Sequence, residues 1–421
     1  MTQHLKRPRK RLLAKLLANQ ARKRNPLADF PREVQILTIA SFFVAVGFGI
    51  IVPAIPFFAR TFGVSNAAIG LIVSIFAIVR MSSGLFAGRL VDQFGERIVY
   101  AVGLSIVSLS MFASGFATSY IQLLVFRALG GVGSMMFSVA ASSVIYHSVE
   151  DNRRAQAQSL YNGSFVIGGI AGPALGGLLI SLSPRAPFFS YGTLLAISGA
   201  VAYLFLRGRY IDNKDADSSH QEVRTIRESL AIAPYRIALI MTFINGFVII
   251  GLRNSNLTLF MSEEVQATPA AIGVGFTISS LASGFLLLRA GRLSDREGRR
   301  KAAIIGALIS LIGLVTFIYV TNVPLFYIAM ALLGAGGAFV NTVPGSMVGD
   351  ILTGKGGRVL AFIQMAGDAG AVVGPIAFGF IADRYGFTTS FFAAAAIFLI
   401  AVLASFRIQE TRNIDFFGTK P

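Results

Sequence analysis

The sequence predicts an all-α membrane protein of twelve transmembrane helices, arranged as two pseudo-symmetric six-helix bundles. Three observations support this fold class: the apolar composition, the number of apolar runs and an internal repeat. Of the 421 residues, 54% are hydrophobic and only 14% are charged, whereas soluble domains carry about 25% charged residues. This composition excludes an ordinary water-soluble enzyme, and the absence of Cys excludes disulfides and thiolate metal sites.

Twelve apolar runs recur along the chain, each long enough to cross about 30 Å of hydrocarbon as a helix. Since an open strand edge cannot lie in lipid, we expect every run to be helical. The predicted spans are 34–59, 67–91, 98–117, 119–146, 154–183, 186–207, 235–261, 269–290, 302–321, 323–349, 357–382 and 387–407.

The formal charge of +17 has its origin in the connecting segments. With the amino terminus inside, the cytoplasmic segments hold 31 Lys and Arg, and the opposite loops hold only Arg60, Arg185 and Arg384. This asymmetry predicts a multi-pass protein of the cell membrane with both termini in the cytoplasm. The basic character is therefore a topology signal, and we do not expect nucleic acid as a partner.

Four regions are predicted from these features. Residues 1–33 form a basic cytoplasmic tail, which is either a solvated anchor or a docking segment for anionic lipids. Residues 34–208 form the first bundle, 209–233 a polar cytoplasmic linker, and 234–421 the second bundle with its tail.

The two bundles repeat each other in sequence. The segment Gly88–Arg97 recurs at Gly291–Arg300, and 128–133 recurs at 331–336, both 203 residues further on. Gly172, Pro173 and Gly177 recur 202 residues later as Gly374, Pro375 and Gly379. Three matches at nearly one spacing indicate duplication of a six-helix unit. In duplicated carriers the binding site lies where the two repeats meet.

The copy at 291–301 resembles the loop signature of the major facilitator superfamily, and the resemblance covers nearly the whole chain. The first copy departs from it at Gln93 and Glu96, where basic residues are usual. The segment Gly47–Pro56 is similar to the first helix of the twelve-helix drug:proton antiporters. The pattern of Gly168, Gly172, Pro173, Gly176 and Gly177 resembles the fifth-helix signature of the same antiporters.

Arg127 with Gly131 and Gly133 resembles the fourth-helix motif of proton-coupled members, although Gly130 replaces a common glutamine. The resemblance implies a monomeric secondary transporter that exports small molecules by alternating access. A proton gradient is its implied energy source, with no cofactor and no metal. A carrier of a metabolite such as a sugar or organic acid is the alternative within this class, and a membrane receptor or lipid-modifying enzyme is a remote one.

Two sets of residues are predicted to act in gating. Gly168, Gly172 and Gly176 are four residues apart, so they share one helix face beside Pro173. They form either a packing seam or, with Gly370, Gly374 and Pro375, the surface along which the halves rock.

Asp92 and Asp295 lie at the cytoplasmic mouth, either as solvated charges or as partners of basic neighbours. Those neighbours are Arg97 and Arg300, and Arg299 is assigned to the same gate.

Four charged residues lie deep in apolar runs, namely Arg80, Arg127, Arg253 and Asp368. Each costs about 2.5–3.5 kcal/mol at the bilayer centre, so we expect them in a cavity or an ion pair. Arg80 and Asp368 have matching depths, and in the superfamily fold the second and eleventh helices meet across the two halves. The resemblance therefore implies a pair between the halves when the protein is closed on the cytoplasmic side. Asp368 is the predicted proton carrier, assisted by Arg80 and Arg127; a structural salt bridge is the alternative.

The predicted substrate site is polar and lies on helices that line the central path in the superfamily. Its residues are Arg253, Asn254, Asn256 and Asn245 on the seventh span and Asn341 on the tenth. Three deep Arg and one deep Asp leave a surplus of positive charge. This balance favours anionic or neutral amphiphilic cargo over lipophilic cations.

Overall fold

The computed structural model describes residues 29–150, 153–206, 226–351 and 357–411. Within these residues the regular structure is helical throughout. Most of the predicted basic tail (1–28), most of the predicted linker (209–225) and the last ten residues lie outside the described part of the chain.

The first half consists of six spans. They are α1 (Arg32–Arg60), α2 (Asn66–Ser82 and Gly84–Phe94, bent by 50° at their junction), α3 (Glu96–Phe116), α4 (Tyr120–Ser148), α5 (Arg154–Leu182) and α6 (Ala186–Phe205). The hydroxyl oxygens of Ser65 and Ser119 accept hydrogen bonds from backbone N–H groups in the first turns of α2 and α4. These caps satisfy donors that a helix start leaves free.

The second half repeats this arrangement after a short helix, Ile226–Ala231. Its spans are α7 (Ala233–Glu263, with interruptions), α8 (Pro269–Glu297), α9 (Arg299–Ile318) and α10 (Val323–Ile351), followed by α11 and α12 in the run Gly357–Phe406. Gly386 divides that run, because its φ of 84° and ψ of 165° are not helical. With this division and the bent α2, the twelve predicted spans are confirmed among the described residues.

Packing within the halves follows one plan. In the first half α1 packs on α5 and α6, and α3 packs on α4 and α6. In the second half α7 packs on α11 and α12, and α9 packs on α10 and α12. The halves meet through α2 with α11 and through α5 with α8. These equivalent pairs confirm the duplicated two-bundle architecture predicted from the repeat.

The two interfaces between the halves have reciprocal contacts. Gly70 of α2 lies against the backbone of Pro375 on α11, and Gly273 of α8 lies against the backbone of Pro173 on α5. A side chain at either glycine would collide with the opposing carbonyl, so each interface depends on close backbone approach. Because the contacts exchange equivalent residues, the halves are related by an approximate twofold axis.

The glycine faces of α5 and α11 lie inside the two halves. A Cβ at Gly172 would lie 2.5 Å from the carbonyl oxygen of Val46, and one at Gly176 would lie 2.5 Å from that of Ile50. Gly168 likewise faces α1, while Gly370 and Gly374 face α7. Of the two predicted alternatives, the structure therefore agrees with the packing seam and not with a surface between the halves. They close the packing inside each half, and the prolines and Gly177 on the adjacent faces meet the other half.

Hydrogen bonds join the halves on the membrane side opposite the described chain ends, which we call the opposite side. Arg60 of α1 forms a bidentate ion pair with Glu263 of α7, at 2.6 and 2.8 Å. The Asp383 carboxylate accepts from the backbone N–H groups of Asn66 and Ala67 at 2.8 and 2.9 Å. The structure is therefore closed on the opposite side.

Candidate functional site

A central cavity lies between the halves and has two lobes. Lobe A, about 380 Å³, is lined by α1, α2, α4, α7 and α11 and contains Arg80, Arg127, Gln364 and Asp368. Lobe B, about 460 Å³, is lined by α1, α5, α7, α8 and α10 and contains Asn245, Arg253, Ser280, Ser283 and Asn341. Phe48, Val52, Ile250 and Asn254 line both lobes. Apolar walls with a few convergent polar groups are typical of a ligand site.

The polar residues of α7 lie where this span departs from regular helix. Residues Asn245–Ile250 form a π-helical turn, and Ser255, with φ −133° and ψ −74°, interrupts the helix again. Such irregular backbone within a membrane is found where a helix lines a cavity. Asn245 begins the π-helical turn, and Arg253 and Asn254 immediately precede the second break.

The irregular turns correspond to extra residues in α7 relative to α1. Equivalent glycines of α5 and α11 lie against Phe42 and Phe243 respectively, and Arg60 pairs with Glu263. Arg60 follows Phe42 by 18 residues, whereas Glu263 follows Phe243 by 20. A π-helical turn accommodates an inserted residue, and the break at Ser255 accommodates the second. The first span of each half therefore differs from its counterpart at the level of the cavity.

Lobe A brings Arg80 and Asp368 into one cavity, as predicted, but they are not within 4.0 Å of each other. The Arg80 guanidinium instead donates to the hydroxyls of Ser134 and Ser138 on α4, at 3.2 and 3.4 Å. Within the described residues, Asp368 makes no hydrogen bond or ion pair. The pair stays a prediction for the state closed on the side of the chain ends.

Arg127 also lines lobe A, and it is the most deeply buried of the cavity cations. Its side chain is 4% exposed, and its guanidinium lies 4.5 Å from the centre of the Phe76 ring. Its Nε is buried without a hydrogen-bond partner in the described part of the chain. Stacking on an aromatic face offsets part of the desolvation cost of such a cation.

Lobe B contains most of the predicted substrate residues. The Arg253 guanidinium lies 5.2 Å from the centre of the Phe276 ring and donates to Ser280 Oγ at 3.3 Å. Asn245 of α7 donates to the side-chain oxygen of Asn341 on α10 at 2.8 Å. The structure thus places these predicted residues in one lobe.

Asn256 is an exception among the predicted substrate residues, because it lines neither lobe. Its side chain is fully buried and donates to the Phe378 carbonyl oxygen and to Ser390 Oγ, both at 2.9 Å. These bonds tie the far part of α7 to α11 and α12 beyond the break at Ser255. Asn256 is therefore a structural residue, and its predicted contact with substrate is wrong.

A comparison with known families identifies the fold. The model of the Major Facilitator Superfamily matches residues 37–253 and again residues 238–417, which together include both halves and the cavity. The chain belongs to the Major Facilitator Superfamily. It is therefore a multi-pass membrane protein of a transporter family, as the resemblance of its loop and helix motifs implied.

Similar members of the superfamily include resistance proteins. Multidrug resistance protein MdtG of Proteus mirabilis is 28% identical over 403 residues, 91% of this chain and 98% of that protein. Multidrug resistance protein 2 of Bacillus subtilis is 28% identical over 295 residues, 68% and 73% of the two chains. A bacterial homologue of the human lysosomal transporter Spinster, solved inward-facing and occupied, has a TM-score of 0.76 at 16% identity, covering 89% and 95%.

The superfamily loop motifs have partners other than those predicted. Arg97 donates to the backbone oxygen of Tyr203 at 2.7 Å and stacks on its ring, while Asp92 is exposed. Asp295 accepts from Arg299 at 2.5 Å, so its partner is Arg299 and not Arg300. The backbone N–H of Arg300 donates to Glu410 at 3.3 Å. Each of these contacts stays within one half.

The two loop motifs also contain equivalent pairs in which the acidic residue stands at opposite positions. In the second half Arg299 forms a bidentate pair with Asp350, at 2.9 and 3.0 Å. At the equivalent positions of the first half, 203 residues earlier, Glu96 contacts His147 Nδ1 at 2.8 Å. The acid has changed sides between the halves, but both pairs join the start of one helix to the end of the next. This explains why Glu96 stands where the superfamily motif has a basic residue.

Several residues of the site were not predicted from the sequence. Gln364, Ser280 and Ser283 line the cavity, but isolated Gln and Ser are too common in membrane helices to stand out. Asp383 closes the opposite side through backbone groups, which leave no trace in the sequence. The pair of Arg60 and Glu263 was not predicted either, although one signal could have indicated it: its members are separated by the repeat distance of 203 residues.

Proposed function

We propose that this member of the superfamily is a proton-coupled antiporter that exports small amphiphilic molecules by alternating access. The observation that carries the proposal is the acid Asp368, which has no ion-pair partner among the described residues and lies in a central cavity closed on one side. A neighbouring cation, Arg80, lines the same lobe from the other half. The similarity to multidrug resistance proteins supports export of amphiphiles as the direction and cargo.

Asp368 is the proton carrier in this mechanism. Closure of the cavity on the side of the chain ends moves α2 and α11 together, which brings Arg80 towards the carboxyl group. A carboxyl group that gains and loses an arginine partner changes its affinity for a proton. Because the same movement exchanges the side from which the cavity is reached, proton binding and access are coupled. Arg127, in the same lobe, assists by its positive charge.

The substrate lies between the lobes in the proposed mechanism. Arg253, Asn254, Asn245 and Asn341 supply the polar contacts, and Phe48, Phe76 and Phe165 supply apolar surface. In this proposal the protein is a plasma-membrane monomer with both termini in the cytoplasm and its amino-terminal tail near anionic lipids. The basic segments support this orientation and the lipid contact. Export then begins from the state described here, whose closed side faces outwards.

Transport in proteoliposomes with an imposed pH gradient tests this function. With wild-type protein, protons are expected to cross the proteoliposome membrane only when a transported compound is present. Asp368→Asn is expected to abolish this movement and still bind the compound, because the amide cannot carry a proton. Glu264→Gln, an exposed acid at the end of α7, is the matched control and keeps full activity. Full coupled transport by Asp368→Asn would refute the assignment.

A second function, transport of a metabolite such as a sugar or organic anion, is favoured by the charge of the cavity. Arg80, Arg127 and Arg253 exceed the single acid Asp368, which suits an anion better than a cation. The same proteoliposomes separate the two functions. Protons that move with the compound indicate symport of a metabolite, whereas protons that move against it indicate antiport.

A further inference from the structure

We propose that lobe B binds the anionic group of the transported molecule through Arg253, while lobe A is reserved for the proton. The substrate class is then an amphiphile that carries one carboxylate or a comparable oxyanion on an apolar body. This inference rests on the proposed function only in taking the central cavity as the transport site. It assigns separate tasks to two lobes that share Phe48, Val52, Ile250 and Asn254.

The distribution of charge separates the lobes. Among the described residues, the lining of lobe B contains a single charged residue, Arg253, and no acid. The lining of lobe A contains Arg80 and Arg127 together with Asp368. A carboxylate in lobe A would approach Asp368, and like charges at short range repel strongly in a medium of low dielectric constant. A carboxylate in lobe B meets only the cation.

Arg253 also has free hydrogen-bonding capacity. A guanidinium carries five N–H donors, and in the described residues Arg253 uses one of them, at 3.3 Å to Ser280. Its stacking on Phe276 fixes the plane of the group without using its donors. A guanidinium in this condition is suited to bidentate recognition of a carboxylate. Arg80, in contrast, already donates to two serines of α4.

The surroundings of Arg253 match the remainder of an amphiphile. Asn254 and Ser283 add donors beside the guanidinium, and the shared residues Phe48, Val52 and Ile250 provide an apolar wall that leads towards lobe A. A lobe of about 460 Å³ is within the ordinary range for small-molecule sites. A partly buried arginine without a counter-ion is costly, so an anionic substrate removes an energetic penalty when it binds.

Three compounds with one ring system test the charge preference: 2-naphthoate, 2-naphthylmethanol and 2-naphthylmethylammonium. The chain contains no Trp, so naphthalene fluorescence can be followed directly on protein in lipid nanodiscs. Wild-type protein is expected to bind naphthoate at least about tenfold more tightly than the alcohol, the effect of one charged hydrogen-bonded contact. Arg253→Gln should bring naphthoate down to the affinity of the alcohol and leave the alcohol unchanged. Arg253→Lys should retain part of the preference.

Two further variants keep the test decisive. Asn254→Asp places an acid beside Arg253 and should weaken naphthoate but not the alcohol, which gives an answer even when Arg253→Gln does not fold. Arg127→Gln removes a cation from lobe A and should preserve the preference. The proposal is overturned when the ammonium compound binds as tightly as naphthoate. It is equally overturned when Arg127→Gln, and not Arg253→Gln, abolishes the preference, or when Asn254→Asp binds naphthoate normally.

Equilibrium binding separates this inference from the proposed function. Binding of naphthoate that depends on Arg253, together with no proton movement evoked by any compound, would refute proton antiport and support the anion site. Proton movement evoked by the ammonium compound alone, with no Arg253-dependent binding of naphthoate, would support antiport and refute the anion site.

Discussion

Arg60 and Glu263 occupy equivalent positions in the two halves, 203 residues apart, and form a bidentate ion pair with each other. Arg60 additionally donates to the Val64 carbonyl oxygen and the Asn66 side chain, at 2.9 and 3.0 Å. The pair thus connects the ends of α1 and α7 to the start of α2. It closes the cavity at the point where the twofold axis crosses the opposite side.

Glu263→Gln is expected to increase the population that is open on the opposite side. Both side chains are about one third exposed, 33% and 36%, and such pairs contribute up to about 1 kcal/mol. The expected change in population is therefore up to about fivefold. Spin labels on cysteines at Thr61 and Glu264 can report it by pulsed dipolar spectroscopy, since the chain has no Cys of its own. The double variant Arg60→Glu with Glu263→Arg should restore the original distances; unchanged distances in Glu263→Gln would contradict the prediction.

Asp383→Ala is expected to loosen the interface of α2 and α11. It removes a carboxylate that accepts from the two backbone N–H groups at the start of α2, across the halves. Loss of a capping acceptor costs about 0.5–2 kcal/mol, and the negative charge at a helix start adds to this. Thermal unfolding of the purified protein should show reduced stability. Asp383→Asn, which keeps one acceptor oxygen, should lose less; equal losses would show that the carboxylate does not act as a cap.

Breaking the pair of Arg299 and Asp350 should destabilise the protein more than breaking Glu96 and His147. The Arg299 side chain is 10% exposed and Asp350 is 21% exposed, and an uncompensated buried charge costs about 3–5 kcal/mol. His147 is 45% exposed, so water can replace its partner. Chemical denaturation of Arg299→Met and Glu96→Gln measures the difference. The double variant Arg299→Glu with Asp350→His, which copies the first half, should recover part of the loss.

Gly172→Ala is expected to destabilise the packing of α1 on α5. The new Cβ would lie 2.5 Å from the Val46 carbonyl oxygen and 2.6 Å from the Gly49 Cα, and such overpacking costs about 1–3 kcal/mol. Gly163 of the same helix has open space around its Cα. Gly163→Ala is therefore the matched control and should be neutral or slightly stabilising. Equal unfolding temperatures of the two variants would contradict the packing described for the glycine face of α5.

The sequence predicted the structural features that depend on the apolar composition and on the repeat between the halves. Long apolar runs gave all twelve spans, and the repeat at 203 residues gave the relation between the halves. It could not show which neighbour a glycine face meets, since Gly172 and Gly177 look alike in sequence but face α1 and α8 respectively. For polar residues, the sequence predicted the depth in the membrane better than the direction of the side chain. Asn254 and Asn256 are two positions apart, yet the break at Ser255 turns Asn256 away from the cavity.

The two additional residues of α7 have a consequence for how a symmetric scaffold obtains a one-sided pocket. If α7 had kept the length of α1, it would present the same face to the cavity as α1 does. Arg253 would then point in the direction taken by an apolar residue of α1. A single extra residue turns everything beyond it by about 100° around the helix axis. Removing one residue from 245–250 should therefore turn the Arg253 guanidinium away from the cavity wall, while the contacts of Gly70 and Gly273 between the halves stay in place.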